Sequence, residues 1–226
     1  MPVETLPPLQ GHIRAVFVGG PKTLCDARGE WRSSIARDLV SGLTRLEETG
    51  FAGDQATQPY HGSLETAVCL HSFVHYQFWN SRYDMALQPG AVGENLTLDE
   101  LDDSNVCVGD IYQAGTARLQ ITAPRSPCDT QARHVGRPDW VKLTLQELRT
   151  GFYARVLAPG TLQAGDRMIL ERRANPGLTV LDLNRCYYHV FQPEVARWYM
   201  AAEGLMDWWK NRLREKAQTL GASLEL

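Results

Sequence analysis

The sequence predicts a predominantly β fold of barrel type, followed by a short C-terminal helical region. Three observations predict it. Short apolar runs recur through the first 175 residues, each bounded by glycine or proline. Two of the turns between them, Val108-Gly109-Asp110 and Ala164-Gly165-Asp166, share one form, and each precedes a strand. After Pro176-Gly177 the pattern changes to helical spacing with capping signals. The chain has 226 residues, 43% of them hydrophobic. That suffices for one full core or a core with a small appendage, and excludes a long multidomain machine. Residues 1–175 are therefore expected to form the barrel and residues 176–226 a three-helix region.

The elements follow in order. Residues 12–18, His-Ile-Arg-Ala-Val-Phe-Val, alternate enough for a strand, and Gly19-Gly20-Pro21 ends it. Residues 66–70 are a short buried run. Ser72 stands at the N-cap of a helix over 73–80, where Phe73, Tyr76, Phe78 and Trp79 give partial helical spacing. Strands are predicted over 105–112, 117–122, 151–157 and 167–171, with a short helix over 142–149. In the tail, Thr179 and Asp182 resemble a capping box with Asp in place of Glu. Val180, Leu181, Asn184, Tyr187 and Tyr188 mark the first tail helix. Pro193 fits the first turn of the second, running to about 202. Gly204 breaks it, and Leu205, Trp208, Trp209 and Leu213 place a third helix over 205–220. A tail of about fifty residues buries little surface alone. It is expected to pack on the barrel or, through Trp198, Trp208 and Trp209, against a second copy in a homodimer.

Composition removes several functional classes. A net charge of -3 argues against broad nucleic-acid coating, and no direct nucleic-acid binding is expected. The tail's Lys210, Arg212, Arg214 and Lys216 are interspersed with Glu203, Asp207 and Glu215, as on a solvated helix face. No stretch approaches the roughly 18 uncharged residues of a membrane span. Residues 1–10 carry acid rather than base and no apolar core, so no signal peptide is read. The five cysteines, Cys25, Cys69, Cys107, Cys128 and Cys186, are odd in number and form no CxxC pair. This disfavours a zinc knuckle or thioredoxin-like site and fits the cytoplasm. Neither GxGxxG nor GxxxxGK[ST] occurs, so a nucleotide-binding Rossmann or phosphate-loop fold is unsupported.

Cys128 is the foremost chemical candidate. It ends Ala123-Pro124-Arg125-Ser126-Pro127-Cys128, a proline-stiffened segment just beyond an apolar strand. Such a loop presents a side chain accurately, and a nearby cation such as Arg125 favours a thiolate. The bland alternative is a free thiol under a loop. Cys69 and Cys107 lie inside apolar strands and read as core. His61, between Tyr60 and Gly62, is either an anion donor and proton shuttle or a satisfied surface histidine. His71 and His75 are four apart, but no HExxH accompanies them, so metal binding is a minor reading. Gly53-Asp54 and Gly93-Glu94-Asn95 are glycine-marked turns that either close the chain or aim polar groups at a ligand. Ser33-Ser34-Ile35-Ala36-Arg37 is equally a phosphate anchor or an exposed loop.

Taken in order, these segments resemble the MOSC domain, the molybdenum cofactor sulfurase C-terminal type, in its YiiM-like bacterial branch. The pieces are Ser34-Ile35-Ala36-Arg37, Gly53-Asp54, His61-Gly62, Ala67-Val68, Gly93-Glu94-Asn95-Leu96, Gly109-Asp110 and Pro124-Arg125-Ser126-Pro127-Cys128. The resemblance covers about residues 10–172. It implies a MOSC-type β-barrel and a molybdenum cofactor of molybdopterin type. Cys128 falls on the cysteine expected to ligate molybdenum, a role suited to soft sulfur. His61, Asn95 and Arg125 fall near the cofactor, and Ser34 and Arg37 where the pterin or its phosphate is anchored. The activity it implies is reduction of N-hydroxylated compounds such as hydroxylaminopurine base analogues, with Cys128 and His61 in catalytic roles. A separate electron-donor protein is then required, since no flavin or nicotinamide domain is visible. The alternatives are a sulfur carrier acting through a Cys128 persulfide and a non-catalytic cofactor carrier. The chain departs from the pattern at Ser63-Leu64-Glu65-Thr66, which lacks the usual second glycine and arginine, and at Asp129-Thr130 after the cysteine.

Overall fold

A computed structural model describes residues 10–56 and 63–224. Seven strands close into a ring. They are β1 (Gln10–Val18), β7 (Val68–Ser72), β8 (Leu96–Asp99), β9 (Ile111–Ala114), β10 (Ala117–Pro124), β11 (Phe152–Ala158) and β13 (Arg167–Arg172). The order around the barrel is β1-β8-β7-β11-β10-β9-β13 and back to β1. All these pairs are antiparallel except β7 with β8, which run parallel with α1 (Phe73–Tyr83) between them. The far end of β1 also pairs β4 (Asp38–Val40). Two small sheets flank the barrel: the hairpin β2 (Lys22–Asp26) and β3 (Gly29–Ser33), and the triplet β12 (Gly160–Leu162), β5 (Thr44–Glu47) and β6 (Gly50–Phe51).

The alternation read in the first strand is real but slips. Gln10, His12 and Arg14 face out while Gly11 and Ile13 face in, and the register with β8 then shifts between Ile13 and Ala15. The bulge at Arg14 lets Ala15, Val16 and Phe17 all be buried. The predicted strand over 105–112 is shorter. Residues 105–110 form turns around a single bridge from Cys107 to Thr179, and β9 begins only at Ile111. Gly109 is the reason: its φ is +80°, and a Cβ there would stand 2.3 Å from the Glu203 carbonyl oxygen. The barrel is filled by Ile13, Leu70, Leu96, Leu119, Ile121, Phe152 and their neighbours, all fully buried.

Two further clusters position the ends of the barrel. Tyr76 and Trp79 of α1 pack with Ala132 of α2 (Asp129–Val135) and with Trp140 and Leu143 of α3 (Trp140–Glu147). This helical cap holds the segment after Cys128. The sequence reading missed α2, because a seven-residue helix offers too little periodicity to detect. The tail helices α4 (Val180–Asn184), α5 (Pro193–Ala201) and α6 (Asp207–Thr219) pack on the barrel through Val108 and Ala123. Trp209 Nε1 donates to the Pro124 carbonyl at 3.1 Å, and the Met206 amide to the Thr122 carbonyl at 3.1 Å. Covered inside by the core and outside by the tail, β10 is buried on both faces. The Thr179 hydroxyl accepts from the Asp182 amide at 3.0 Å, as a cap should. Trp198 and Trp208 remain exposed. Among the described residues no helix is long and apolar enough to cross a membrane.

Candidate functional site

One cavity of about 330 Å³ opens where β3, the ends of β7 and β10 and the turn at Gly93 converge. Ser34, Arg37, Asn95, Arg125 and Cys128 all line it. His61 lies outside the described residues. Cys69, Trp31, Gln131 and Tyr153 line it as well. Cys69 is buried, as expected of a core cysteine, but it also lines the cavity wall; burial pushes its thiol up against the pull of Arg125 and Arg37. Gln131 and Tyr153 carried no sequence signal, since each sits in a short element whose orientation depends on packing.

Gly93 organises the wall. Its φ is +72°, and a Cβ would lie 2.5 Å from Ile35 Cγ1, so only glycine lets the segment after β3 approach. Its carbonyl accepts from Arg37 Nη1 at 2.7 Å and lies 3.5 Å from Arg125 Nη2. The two arginines that meet there differ in charge balance. Arg37 makes a bidentate pair with Asp54, at 2.8 and 2.9 Å. Asp54 also accepts from the Gly19 amide at 2.9 Å and from Asn95 Nδ2 at 3.0 Å. Asn95 donates in addition to the Phe17 carbonyl, and its own amide oxygen accepts from the Cys69 amide at 3.0 Å. Arg37 is therefore neutralised, and Asn95 joins β1 to β7; both shape the wall rather than offering free groups.

Arg125 is buried, yet no carboxylate among the described residues lies within ion-pair distance of it. Its amide donates to the Gly151 carbonyl at 2.9 Å. With the Gln131 side-chain amide oriented to suit its neighbours, the amide oxygen accepts from Arg125 Nε and Nη2, both at 2.9 Å. Burial works against the charge. Cys69, Tyr153, Cys128 and Glu94 together outweigh it and hold the guanidinium pKa above its ordinary value. Burial in turn pushes the Tyr153 hydroxyl up to about 12, with Arg125 pulling the other way. Two donors in the same wall, Ser34 Oγ and Trp31 Nε1, are buried without a hydrogen-bond partner among the described residues. Ser33 and Ser34 are buried, so the exposed-loop alternative for that segment does not hold. Cys128 is half-buried at the N-cap of α2. The cavity thus combines two thiols, a net positive charge and unpartnered donors, a set suited to an anionic ligand that carries a soft metal.

The MOSC domain profile matches residues 57–169. The chain belongs to the MOSC domain family. Within it, the chain is 35% identical over 178 residues to YflK of Bacillus subtilis, covering 78% of this chain and 80% of that one. It is 32% identical over 190 residues to YiiM of Escherichia coli, covering 81% and 84%. A protein of Gibberella moniliformis described as a reductase is 34% identical over 165 residues, 70% of this chain but 29% of that longer one. The crystal structure of YiiM from Geobacillus stearothermophilus superposes with a TM-score of 0.78 at 29% identity, covering 91% of this chain and 98% of that one. These matches place this MOSC protein in the YiiM-like branch, with the seven-stranded barrel and C-terminal helices described above.

Proposed function

We propose that this protein is a molybdenum-cofactor-dependent reductase of N-hydroxylated compounds, hydroxylaminopurine base analogues among them, served by a separate electron-donor protein. The observation that carries this reading is the cavity itself: Arg125, buried without a carboxylate, shares one wall with Cys128 and the orphaned Ser34 hydroxyl. A buried charge and an unpaired hydroxyl are costly unless a ligand completes them. The residues present therefore fit a pterin-type cofactor with an acidic group. Cys128 would hold the metal through its thiolate. Arg125, Ser34 and Trp31 would hold the anionic part by charge and donated hydrogen bonds. Among the described residues there is no cluster of three or more His, Cys, Asp or Glu that could hold a metal ion; in this reading the organic part of the cofactor would supply the ligands other than Cys128. The bound cofactor supplies two-electron oxygen-atom transfer, and the protein orients it and the substrate. A bound water or, on the sequence pattern alone, His61 is the proposed proton source. A match to part of a fungal protein described as a reductase, 29% of that protein's length, is compatible with a redox role.

The decisive experiment measures metal and pterin content after production in a host that makes the cofactor, for wild type beside Cys128→Ala. Near-stoichiometric molybdenum in the wild type, lost in a variant that melts at the same temperature, is expected. Molybdenum in neither protein would sink the reading. A second reading, sulfur transfer through a Cys128 persulfide, is favoured by the presence of two thiols, Cys69 and Cys128, in one cavity. A persulfide trapped on Cys128 in metal-free protein would support it. Tight cofactor binding without reduction of any N-hydroxylated compound would point instead to a carrier.

A further inference from the structure

Behind the cavity wall lies a second group of buried polar side chains. His71, His75, Glu94 and Asp103 are each at most 2% exposed. Their rings and carboxylates form a line. The His71 and His75 rings meet edge to face with centroids 5.0 Å apart. His75 Nε2 lies 3.5 Å from Asp103 Oδ2, close but short of hydrogen-bond geometry. Neither ring nitrogen of His71, nor His75 Nδ1, Asp103 Oδ2 or Glu94 Oε2 has a well-formed partner among the described residues. Five such atoms in one place are not needed to build the fold, since apolar side chains would pack there without the desolvation.

The line has two ends. At one, His75 and Asp103 line a second cavity of about 370 Å³, reached from solvent past Ser104, Arg185 and His189. At the other, Glu94 lies behind the wall of the first cavity: Gly93 and Asn95 on either side of it line that cavity, and its charge acts on Arg125, which lines it too. His71 lies against Gly151, where a Cβ would stand 2.8 Å from its Nδ1, and the Gly151 carbonyl holds the Arg125 amide. In the sequence the two histidines stand four apart, at helical spacing, with metal binding as a minor reading. In the fold His71 is on β7 and His75 on α1, and their proximity comes from the turn between them.

Resting on the reductase reading, we propose that Asp103, His75, His71 and Glu94 form a proton relay that connects the second cavity to the cavity of Cys128. Reduction of a hydroxylamine N–O bond consumes two protons and two electrons and releases water. The electrons come from the donor protein, and no electron moves along the relay. Each hop breaks one O–H or N–H bond and makes another. A neutral imidazole is the right carrier, because one nitrogen donates while the other accepts. The surroundings keep both rings neutral. Burial drives His71 down to about 4, with Glu94 and the nearby Thr150 backbone opposing and Arg125 reinforcing. Burial, with His71 and Arg149 adding to it, drives His75 well down. Burial raises Asp103 to about 7, with Asp102 adding and the Thr150 and Gly151 hydrogen bonds opposing. The Tyr76 hydroxyl, the Thr97 hydroxyl and the Gly90 amide each donate to Glu94 Oε1 at 2.7 Å, while Oε2 has no partner among the described residues. These relay residues act through one another, so they are positioning residues.

Two measurements test the relay. In protein without cofactor, imidazole nitrogen shifts are followed from about pH 5 to about pH 9. The His75 nitrogens are expected to move with the titration of Asp103 and to lose that response in Asp103→Asn. The second measurement uses protein loaded with the cofactor, a hydroxylaminopurine and a reduced viologen dye as electron source. His71→Phe and Asp103→Asn are expected to lower kcat by about tenfold or more with KM and molybdenum content unchanged and the fold retained, and to raise the solvent deuterium isotope effect. An active wild type matched by both variants in rate and isotope effect would overturn the relay alone. So would His75 nitrogens indifferent to Asp103. A loaded wild type that reduces no N-hydroxylated compound would overturn the function and the relay together.

Discussion

Two buried polar regions meet at residues 93–95, and they are built on opposite plans. On one side Arg37, Asp54 and Asn95 saturate one another: both carboxylate oxygens of Asp54 and both amide hydrogens of Asn95 are engaged. On the other, His71, His75, Glu94 and Asp103 leave five atoms without a partner, and Arg125 keeps a charge that no described carboxylate answers. Polar networks that close on themselves specify a shape. Polar groups left open at the cost of desolvation mark places where something binds or passes. The first region therefore reads as architecture and the second as chemistry.

Breaking the closed region has the largest expected effect on stability. Asp54→Ala leaves the Arg37 guanidinium, 14% exposed, without its carboxylate and removes acceptors from Gly19 and Asn95. Urea unfolding is expected to show a loss of about 3 kcal/mol; a loss indistinguishable from zero would mean that the pair is not structural. Next comes Gly93→Ala, which forces a side chain onto Ile35 at positive φ. A loss of about 2 kcal/mol is expected by the same method, along with weaker cofactor retention.

The open region responds to pH. Asp103 has its folded pKa raised to about 7 by burial, above the usual carboxylate value. Between about pH 4 and pH 7 the folded state thus binds more protons at this site than the unfolded chain, and its contribution to stability falls as pH rises. His71, lowered to about 4, works the other way and gains stability as pH rises toward the ordinary histidine value. Asp103→Asn isolates the first effect. Relative to wild type, the variant is expected to become progressively more stable from about pH 4 to about pH 7 and level off above, as read by melting temperatures. A difference that is flat with pH would show that Asp103 is not held in its acid form.

The smallest effect on stability is expected at Arg125, where the ligand effect is greatest. Arg125→Met removes a buried charge that has no carboxylate partner, so unfolding free energy should stay within about 1 kcal/mol of wild type or rise. Molybdenum retention should collapse. A large destabilisation with the metal retained would reverse the assignment of the two regions.

Much of this was legible in the chain before folding. The Gly109 and Gly165 turns, the Thr179 cap, Pro193 and the order of the family segments are local, and local chemistry is written in neighbouring residues. So was Cys128, because the prolines around it and Arg125 lie beside it in the chain. The cavity membership of Cys69 was not legible, since a cysteine in an apolar strand looks the same whether it faces the core or a cavity. Nor was α2, too short to show a period, or Gln131 within it.

By itself the sequence determined the β-rich barrel, the helical tail, the family and the side chains available for chemistry. Tertiary structure alone decided which charges are answered. Arg37 and Arg125 are both arginines beside a predicted anion site, but Asp54 comes from 17 residues away to pair with one, while the other meets the neutral amide of Gln131 and no described carboxylate within ion-pair distance. Likewise, His71 and Asp103 are 32 positions apart in sequence and adjacent to a common partner only because β7, α1 and the turn after β8 close on one another. Charge balance and desolvation depend on distances between segments, and those distances exist only once the barrel has closed.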